Sequence, residues 1–485
     1  MTLDEYLQRD AVGLAELVWN KEVTPGELLE LALARMEEVD PAINAVTDDL
    51  RAFAGEETVR GLPEGPFRGV PFLLKDQLDL RGQRTRRGCR LLENYVSDFD
   101  SEVVTQFRRA GLVCFGRTNM PELGLNVTTE SRMYGPTRNP WNRDYSAGGS
   151  SGGSAAAIAA GICPAASATD GGGSIRIPAA CCGVFGLKPS RGRVSFGPDR
   201  GEGWAGMSAH GVVTRSVRDS ALLLDCISSP TEGEPYPAPS SGGPFFRCVE
   251  HDPRQLRIAL IASPPNDGVV HPACREATES AGQLCAESGH LVSEREFPIN
   301  GAELKEATSM IIRTQVAAGI DEMARTRPDG VLPDDVERAT WAIYEAGRLA
   351  TGIEYVRAVD TIHRIGRQMA AYMEDYDVIL SPVLAEPPIR LGVLDTMAED
   401  VLKTFERLRA YSPFCNLYNA TGQPAMSVPL CWSDTNLPIG VQFAGRYGEE
   451  ATLFHLAGQL ERARPWAARY RELWDNWPDE NDKPE

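Results

Sequence analysis

The chain has 485 residues, 42% hydrophobic and 24% charged, which is ordinary for a globular protein and leaves room for a large core. Its 49 basic residues face 68 acidic ones, a formal net charge of −19, which argues against binding a nucleic-acid phosphate backbone as a main task. The 11 cysteines follow no regular spacing and form no C-x-x-C pair, so neither a disulfide framework nor a zinc site is indicated, and a reducing cytoplasm is the expected compartment.

In chain order, the opening MTLDEYLQRD lacks the basic and apolar regions of a signal peptide, and no apolar run reaches membrane-spanning length. Residues 1–60 are predicted helical, because TPGELLELALARMEEVD repeats apolar residues at helical spacing behind a Thr-Pro start. GVPFLLKD (69–76) reads as a buried strand. RGQRTRRGCR (81–90) gathers Arg81, Arg84, Arg86, Arg87 and Arg90, read as a solvated loop face rather than a patch that steers an anion. SEVVTQFRRAG reads as a helix with Ser101 at its N-cap and Gly111 as its stop, leading into the strand LVCFGR. From Gly152, GGSAAAIAAG reads as a small-residue helix buried on all sides, followed by the strand PAASAT, a glycine turn at 171–173 and the helix SIRIPAACC, where Cys181 and Cys182 are buried small residues.

The stretch SPTEGEPYPAPSSGGP (229–244), with five prolines, reads as a linker or long surface loop reaching about residue 254. Beyond it come the strand LRIALIA (256–262), helical patterns to about 374, and the strand YDVILSP (376–382). The closing strands AMSVPL and PIGVQFAG and the helix ATLFHLAGQLERA precede a polar tail, 476–485, expected to fray.

Two glycine motifs compete for the chemistry. GEGWAG (201–206) matches G-x-G-x-x-G, but no strand precedes it and no helix follows, so a nicotinamide or flavin site is not supported. GGSSG (148–152) matches the nucleophile elbow of Ser-His-Asp α/β-hydrolases, yet that elbow follows a buried strand and RNPWNRDYSA is polar and turn-like. Six histidines are present, His210, His251, His271, His290, His363 and His455, and the last, in TLFHLAG, reads as a packed helix residue. No histidine pair at i, i+4, no HExxH and no lysine-bearing P-loop occurs, so no metal or other cofactor is expected.

The blocks GVPFLLKD, GRTNMPEL, GPTRNPWN, AGGSSGGSAAAIAAG, DGGGSIRIPAACCGVFGLKP, GRVS, GQPAMSVPL and PIGVQFAG together resemble the amidase signature family over nearly the whole chain. The resemblance implies an α/β fold: one large domain, 1–485, with a mixed, twisted central sheet covered by helices. Its catalytic core would run over 61–228 and 376–465, with a helical substrate-side insertion at about 300–374. It also implies Ser174 as nucleophile, Ser150 as a bridging serine behind a cis Gly149–Ser150 peptide, and Lys75 as base. The chemistry agrees: a serine hydroxyl attacks poorly without an adjacent base, and a lysine serves as one only when burial keeps it neutral. Asp76 is expected to face away from Lys75. The N–H groups of Gly171, Gly172, Gly173 and Ser174 form a candidate oxyanion nest. Ser151 is a supporting residue, and Asp170 and Arg176 are expected to brace the loop. Relatives usually carry a side chain where Gly171 stands, which implies a looser loop here.

The blocks VTTE, TRNPWN, GRVSFGP and RARPW look closer to stand-alone bacterial amidases, including the 6-aminohexanoate-cyclic-dimer hydrolases, than to the glutamine-hydrolysing A subunit of glutamyl-tRNA amidotransferase. That implies a small-molecule secondary, lactam or aryl amide as substrate, with carbamate or ester cleavage open to the same acyl-enzyme route, and a monomer or homodimer that binds neither nucleic acid nor membrane. Phe196, Trp204, Met207, Thr314, Trp341 and Tyr344 are the candidate pocket walls.

Overall fold

Short runs of apolar and β-branched residues bounded by glycine, proline or charge build one sheet of eleven strands. They are β1 (Val46–Asp49), β2 (Pro71–Lys75), β3 (Val113–Thr118), β4 (Ala165–Asp170), β5 (Phe185–Lys188), β6 (Ala209–Thr214), β7 (Arg257–Leu260), β8 (Leu291–Glu294), β9 (Val378–Pro382), β10 (Ala425–Trp432) and β11 (Pro438–Gly445). The structure, a computed structural model, describes residues 1–228, 231–266, 268–325 and 327–477.

Across the sheet the order is β1-β3-β2-β4-β6-β5-β10-β11-β9-β7-β8. Pairing is parallel among β3, β2 and β4 and among β9, β7 and β8, and antiparallel elsewhere, so the sheet is mixed. Every residue of β2, β3, β4, β9 and β11 is buried, as expected of strands with helices on both faces.

Two helices and the turns before them place the chemistry. Helix α1 (Gly152–Ala159) is buried at all eight positions, and its glycines and alanines let its backbone lie close against β2, β3, β4 and β6. Helix α2 (Arg176–Cys182) packs on β10 and β11. A helical layer follows: α3 (Gly301–Met323), α4 (Arg338–Arg348) and α5 (Gly352–Tyr372), faced by α6 (Val401–Tyr411), with α7 (Asn416–Thr421) packed on α3 and α5.

Several expectations need correction. Strands β1, β5, β6 and β8 are absent from the sequence reading: VTDD and LVSE are half-exposed edge strands without apolar alternation, FGLK is only four residues long behind a helix, and AHGVVT follows a glycine-rich turn that masks it. RNPWNRDYSA forms a small hairpin, Arg138–Asn139 against Asn142–Ser146, outside the main sheet. Ser101 occupies the N-cap position of the helix Glu102–Arg109, but its Oγ accepts the Asp79 N–H at 3.0 Å instead of capping. The arginine stretch is not uniformly solvated, since Arg86 is buried and pairs with Asp48 at 2.6 Å, and Arg87 pairs with Asp79 at 3.1 Å. Of the proline-rich loop, Ser229 and Pro230 lie outside the described residues; near its end Asp225 takes the N–H groups of Phe245 and Phe246 and seats a short helix there. The tail from 478 onward also lies outside them. Among the described residues all eleven cysteines are free and no helix is long and apolar enough to cross a membrane.

Candidate active site

Strand β2 ends on Lys75, and the apolar residues before it drive the amine into the interior, where it is fully buried. Its Nζ lies 2.7 Å from Ser150 Oγ, 3.0 Å from Ser151 Oγ and 2.8 Å from Thr169 Oγ1. Burial lowers the Lys75 pKa to about 7, against a weaker opposing pull from Asp170.

The surrounding bonds fix which way protons point. Thr169 donates its hydroxyl to Gln77 Oε1 at 2.7 Å, and Ser151 donates its own to the Thr169 carbonyl at 3.3 Å. Both oxygens therefore accept from Lys75. A neutral amine has two N–H bonds and one lone pair, so the lone pair is left facing the Ser150 hydroxyl. Thr169 and Gln77 are absent from the sequence reading; nothing in the local pattern marks them, because only the β2–β4 pairing brings β4 beside Lys75.

Ser150 follows a cis Gly149–Ser150 peptide. Gly149 has no room for a side chain, since a Cβ there would come within 2.6 Å of the Thr128 carbonyl oxygen. Ser174 lies on the turn between β4 and α2, 9% exposed, at the wall of a cavity of about 420 Å³.

Asp170 and Arg176 are paired beneath that turn. Asp170 accepts from Arg176 Nε and Nη2 at 2.9 Å each, from Asn419 Nδ2 at 2.8 Å, and from the backbone N–H groups of Gly173 at 2.7 Å and Ile175 at 3.2 Å. Arg176 spends its remaining hydrogens on the Cys415 carbonyl, Gln442 and Asn419. Burial disfavours the Asp170 charge, but the Arg176 charge and hydrogen bonds outweigh it and hold the carboxyl well below the usual range. The same bonds narrow the candidate nest, because the Gly173 N–H is taken by Asp170, and of the turn only Gly172 and Ser174 line the cavity. The loop is not looser at Gly171, because Trp204 fills the space, its ring 2.7 Å from where a Cβ would stand. Asp76 faces away from Lys75 and accepts from the Arg86 N–H and the Tyr134 hydroxyl.

Because both partners are fully buried, breaking this pair leaves an uncompensated charge. Asp170→Asn is expected to lower unfolding stability by about 3–5 kcal/mol in urea denaturation at pH 7. A loss below about 1 kcal/mol would show that the pair does not hold the turn. With the folded pKa of Asp170 lowered, the pair's contribution is present above the unfolded carboxylate range and disappears on acidification.

Of the pocket candidates only Trp204 lines the cavity. Phe196 stacks on His210 at 4.1 Å, Met207 is buried in the core, Trp341 packs on Tyr344 at 5.3 Å, and the Thr314 hydroxyl turns back to the Met310 carbonyl. Thr308, Ser309, Ile312 and Arg313 of α3 and Ala342, Ile343 and Ala346 of α4 face the cavity instead. GEGWAG is a turn with Trp204, Ala205 and Gly206 at positive φ, unlike a dinucleotide loop that opens a helix. A larger cleft of about 1100 Å³ between the N-terminal helices and residues 64–68 holds none of the Lys75 cluster. Among the described residues no group of His, Cys, Asp and Glu is arranged to hold a metal ion.

The fold is of the α/β class, with a buried amine and serine hydroxyls beside a cavity. The profile of the Amidase family matches residues 27–454, and the chain belongs to that family, whose members act on carbon–nitrogen bonds other than peptide bonds. It is 36% identical to the 6-aminohexanoate-cyclic-dimer hydrolase of Paenarthrobacter ureafaciens, over 96% of this chain and 97% of that one. The solved structure of a 6-aminohexanoate cyclic dimer hydrolase complexed with substrate superposes with a TM-score of 0.89 at 35% identity, covering 96% of this chain and 99% of that one. A bacterial aryl acylamidase of the amidase signature family superposes at 0.85 and 26% identity, covering 97% and 99%.

Proposed function

We propose that the protein hydrolyses amides through an acyl-enzyme on Ser174, with Ser150 relaying a proton to Lys75. The Ser174 Oγ attacks the amide carbon as its proton passes to Ser150 and the Ser150 proton passes to the Lys75 lone pair. The carbonyl π electrons move to oxygen, which the N–H groups of Gly172 and Ser174 receive. On collapse the carbon–nitrogen bond breaks, and Lys75 returns the proton through Ser150 to the leaving nitrogen. Water then attacks the ester by the same relay, giving acid and amine and restoring Ser174.

The observation that carries this reading is the Lys75 amine, buried and lowered to about 7, in contact with Ser150 behind the cavity that ends at Ser174. The cavity is walled mainly by apolar residues, including Leu125, Leu304, Ile312, Ile343 and Phe405, which suits a secondary, lactam or aryl amide with an apolar acyl part. Carbamates and esters pass through the same acyl chemistry. Free cysteines support a reducing cytoplasm as the place of work.

The test is an activity panel of aryl amides, lactam dimers, primary amides, carbamates and esters with the purified chain alone. Turnover of secondary or aryl amides is expected. Turnover confined to glutamine, and only with a partner subunit, would overturn the stand-alone reading.

A further inference from the structure

Most arginines here are committed: Arg176, Arg193 and Arg86, for example, each hold a carboxylate at under 3 Å. Three cations that line the cavity beside Ser174 are different. Lys305 and Arg313 reach it from α3 and Arg409 from α6, and among the described residues none of the three forms an ion pair. Arg313 is half-buried. Its Nη2 meets only the Met310 sulfur, at 3.4 Å, and its buried Nε–H has no partner. Glu354, the carboxylate that feels its charge, is occupied in capping α5 with Thr351. No Asp or Glu lines the cavity among the described residues, in a chain whose formal charge is −19.

A guanidinium without a partner in a partly desolvated wall leaves donors unsatisfied, a cost that a bound carboxylate removes through charge-assisted and often bidentate hydrogen bonds. From this we infer that the cavity selects amides that carry a carboxylate away from the scissile bond, with Arg313 as the anchoring residue and Arg409 and Lys305 adding to the field. The apolar walls between these cations and Ser174 then hold the hydrocarbon part of an amphipathic substrate. The inference rests on the amidase reading and narrows it to anionic amides.

The carboxylate can sit on the acyl side or on the amine side, and three substrates separate these cases. Hexanoyl p-nitroanilide is neutral, the mono-p-nitroanilide of adipic acid carries the charge on the acyl chain, and N-hexanoyl-4-aminobenzoate carries it on the leaving amine. One of the two carboxylates is expected to exceed the neutral anilide in kcat/KM by about tenfold or more, the scale of one charge-assisted hydrogen bond. That ratio should fall about tenfold in Arg313→Gln, recover partly in Arg313→Lys, and shrink as salt screens the pair. If the neutral anilide is hydrolysed in a Ser174-dependent way and neither carboxylate is preferred, the inference is wrong while the amidase reading stands. If none of the three is hydrolysed and Ser174 resists fluorophosphonate labelling, the amidase reading fails. Calorimetric titration of Ser174→Ala with the same three compounds then decides on binding alone, and equal or weaker binding of both carboxylates overturns the inference.

Discussion

The Ser174→Ala protein is expected to fold as the wild type does and to lose turnover of every good amide or ester substrate by roughly 10⁴- to 10⁶-fold, the range seen when an acylated serine is removed. The two halves of that expectation have separate causes. Ser174 stands at the cavity wall rather than in the Asp170–Arg176 network, so losing its hydroxyl should change unfolding stability by less than about 0.5 kcal/mol. Turnover fails because the hydroxyl that attacks the amide carbon is gone, and the carboxylate of Asp170 at the same turn is held by Arg176 and the Gly173 and Ile175 N–H groups. Ser150 does not substitute for Ser174, since Ser150 is only 2% exposed and its hydroxyl faces Lys75. A fluorophosphonate should therefore label the wild type on Ser174 and leave Ser174→Ala unlabelled. An adduct mapped by mass spectrometry to Ser150 or Ser151 would move the nucleophile to the GGSSG turn and sink this assignment.

The residues legible in the sequence were those whose role is written into their immediate neighbours. Lys75 ends an apolar run, so its burial follows from β2 alone. The glycines around Ser150 and Ser174 mark places where the backbone must come close to something, and at Gly149 that is the Thr128 backbone. What stayed hidden depends on partners far along the chain. Thr169 and Gln77 complete the Lys75 shell only because β4 pairs with β2, and Asn419 and Gln442 complete the Arg176 shell from segments more than two hundred residues away. The pocket walls are hidden for another reason. Large side chains are natural candidates for substrate contact, yet their area is better buried, and the aromatics Trp341 and Tyr344 and the loop residue Met207 pack between elements. The smaller residues one position away face the cavity instead. Strand β6, unseen in the sequence, places His210 opposite Thr169, close to the amine.

That proximity bears on the base. Burial, with the charges of Lys75 and Arg200 adding to it, lowers the His210 pKa to about 3, so this histidine stays neutral across the working range. If Lys75 is the base, kcat/KM should rise with pH and reach half its plateau near 7, the value to which burial lowers the amine. Lys75→Met is expected to lose at least about 10³-fold at pH 7.5, and Lys75→Arg should not restore it, because a guanidinium keeps its proton and has no lone pair to offer Ser150. Stability supplies an independent reading. The unfolded amine titrates near 10.5 and the folded one near 7, so between these values the unfolded chain binds more protons and the wild type gains stability as pH rises. Lys188, also buried and lowered to about 7, acts in the same window, so the comparison is made against Lys75→Met, in which only the Lys75 part is missing. The wild type should therefore gain more stability from pH 7 to pH 10 than the variant does. Single replacement of each of the six histidines should leave acylation intact. A folded histidine variant without turnover, alongside an active Lys75→Met, would hand the proton to a histidine and end the lysine mechanism.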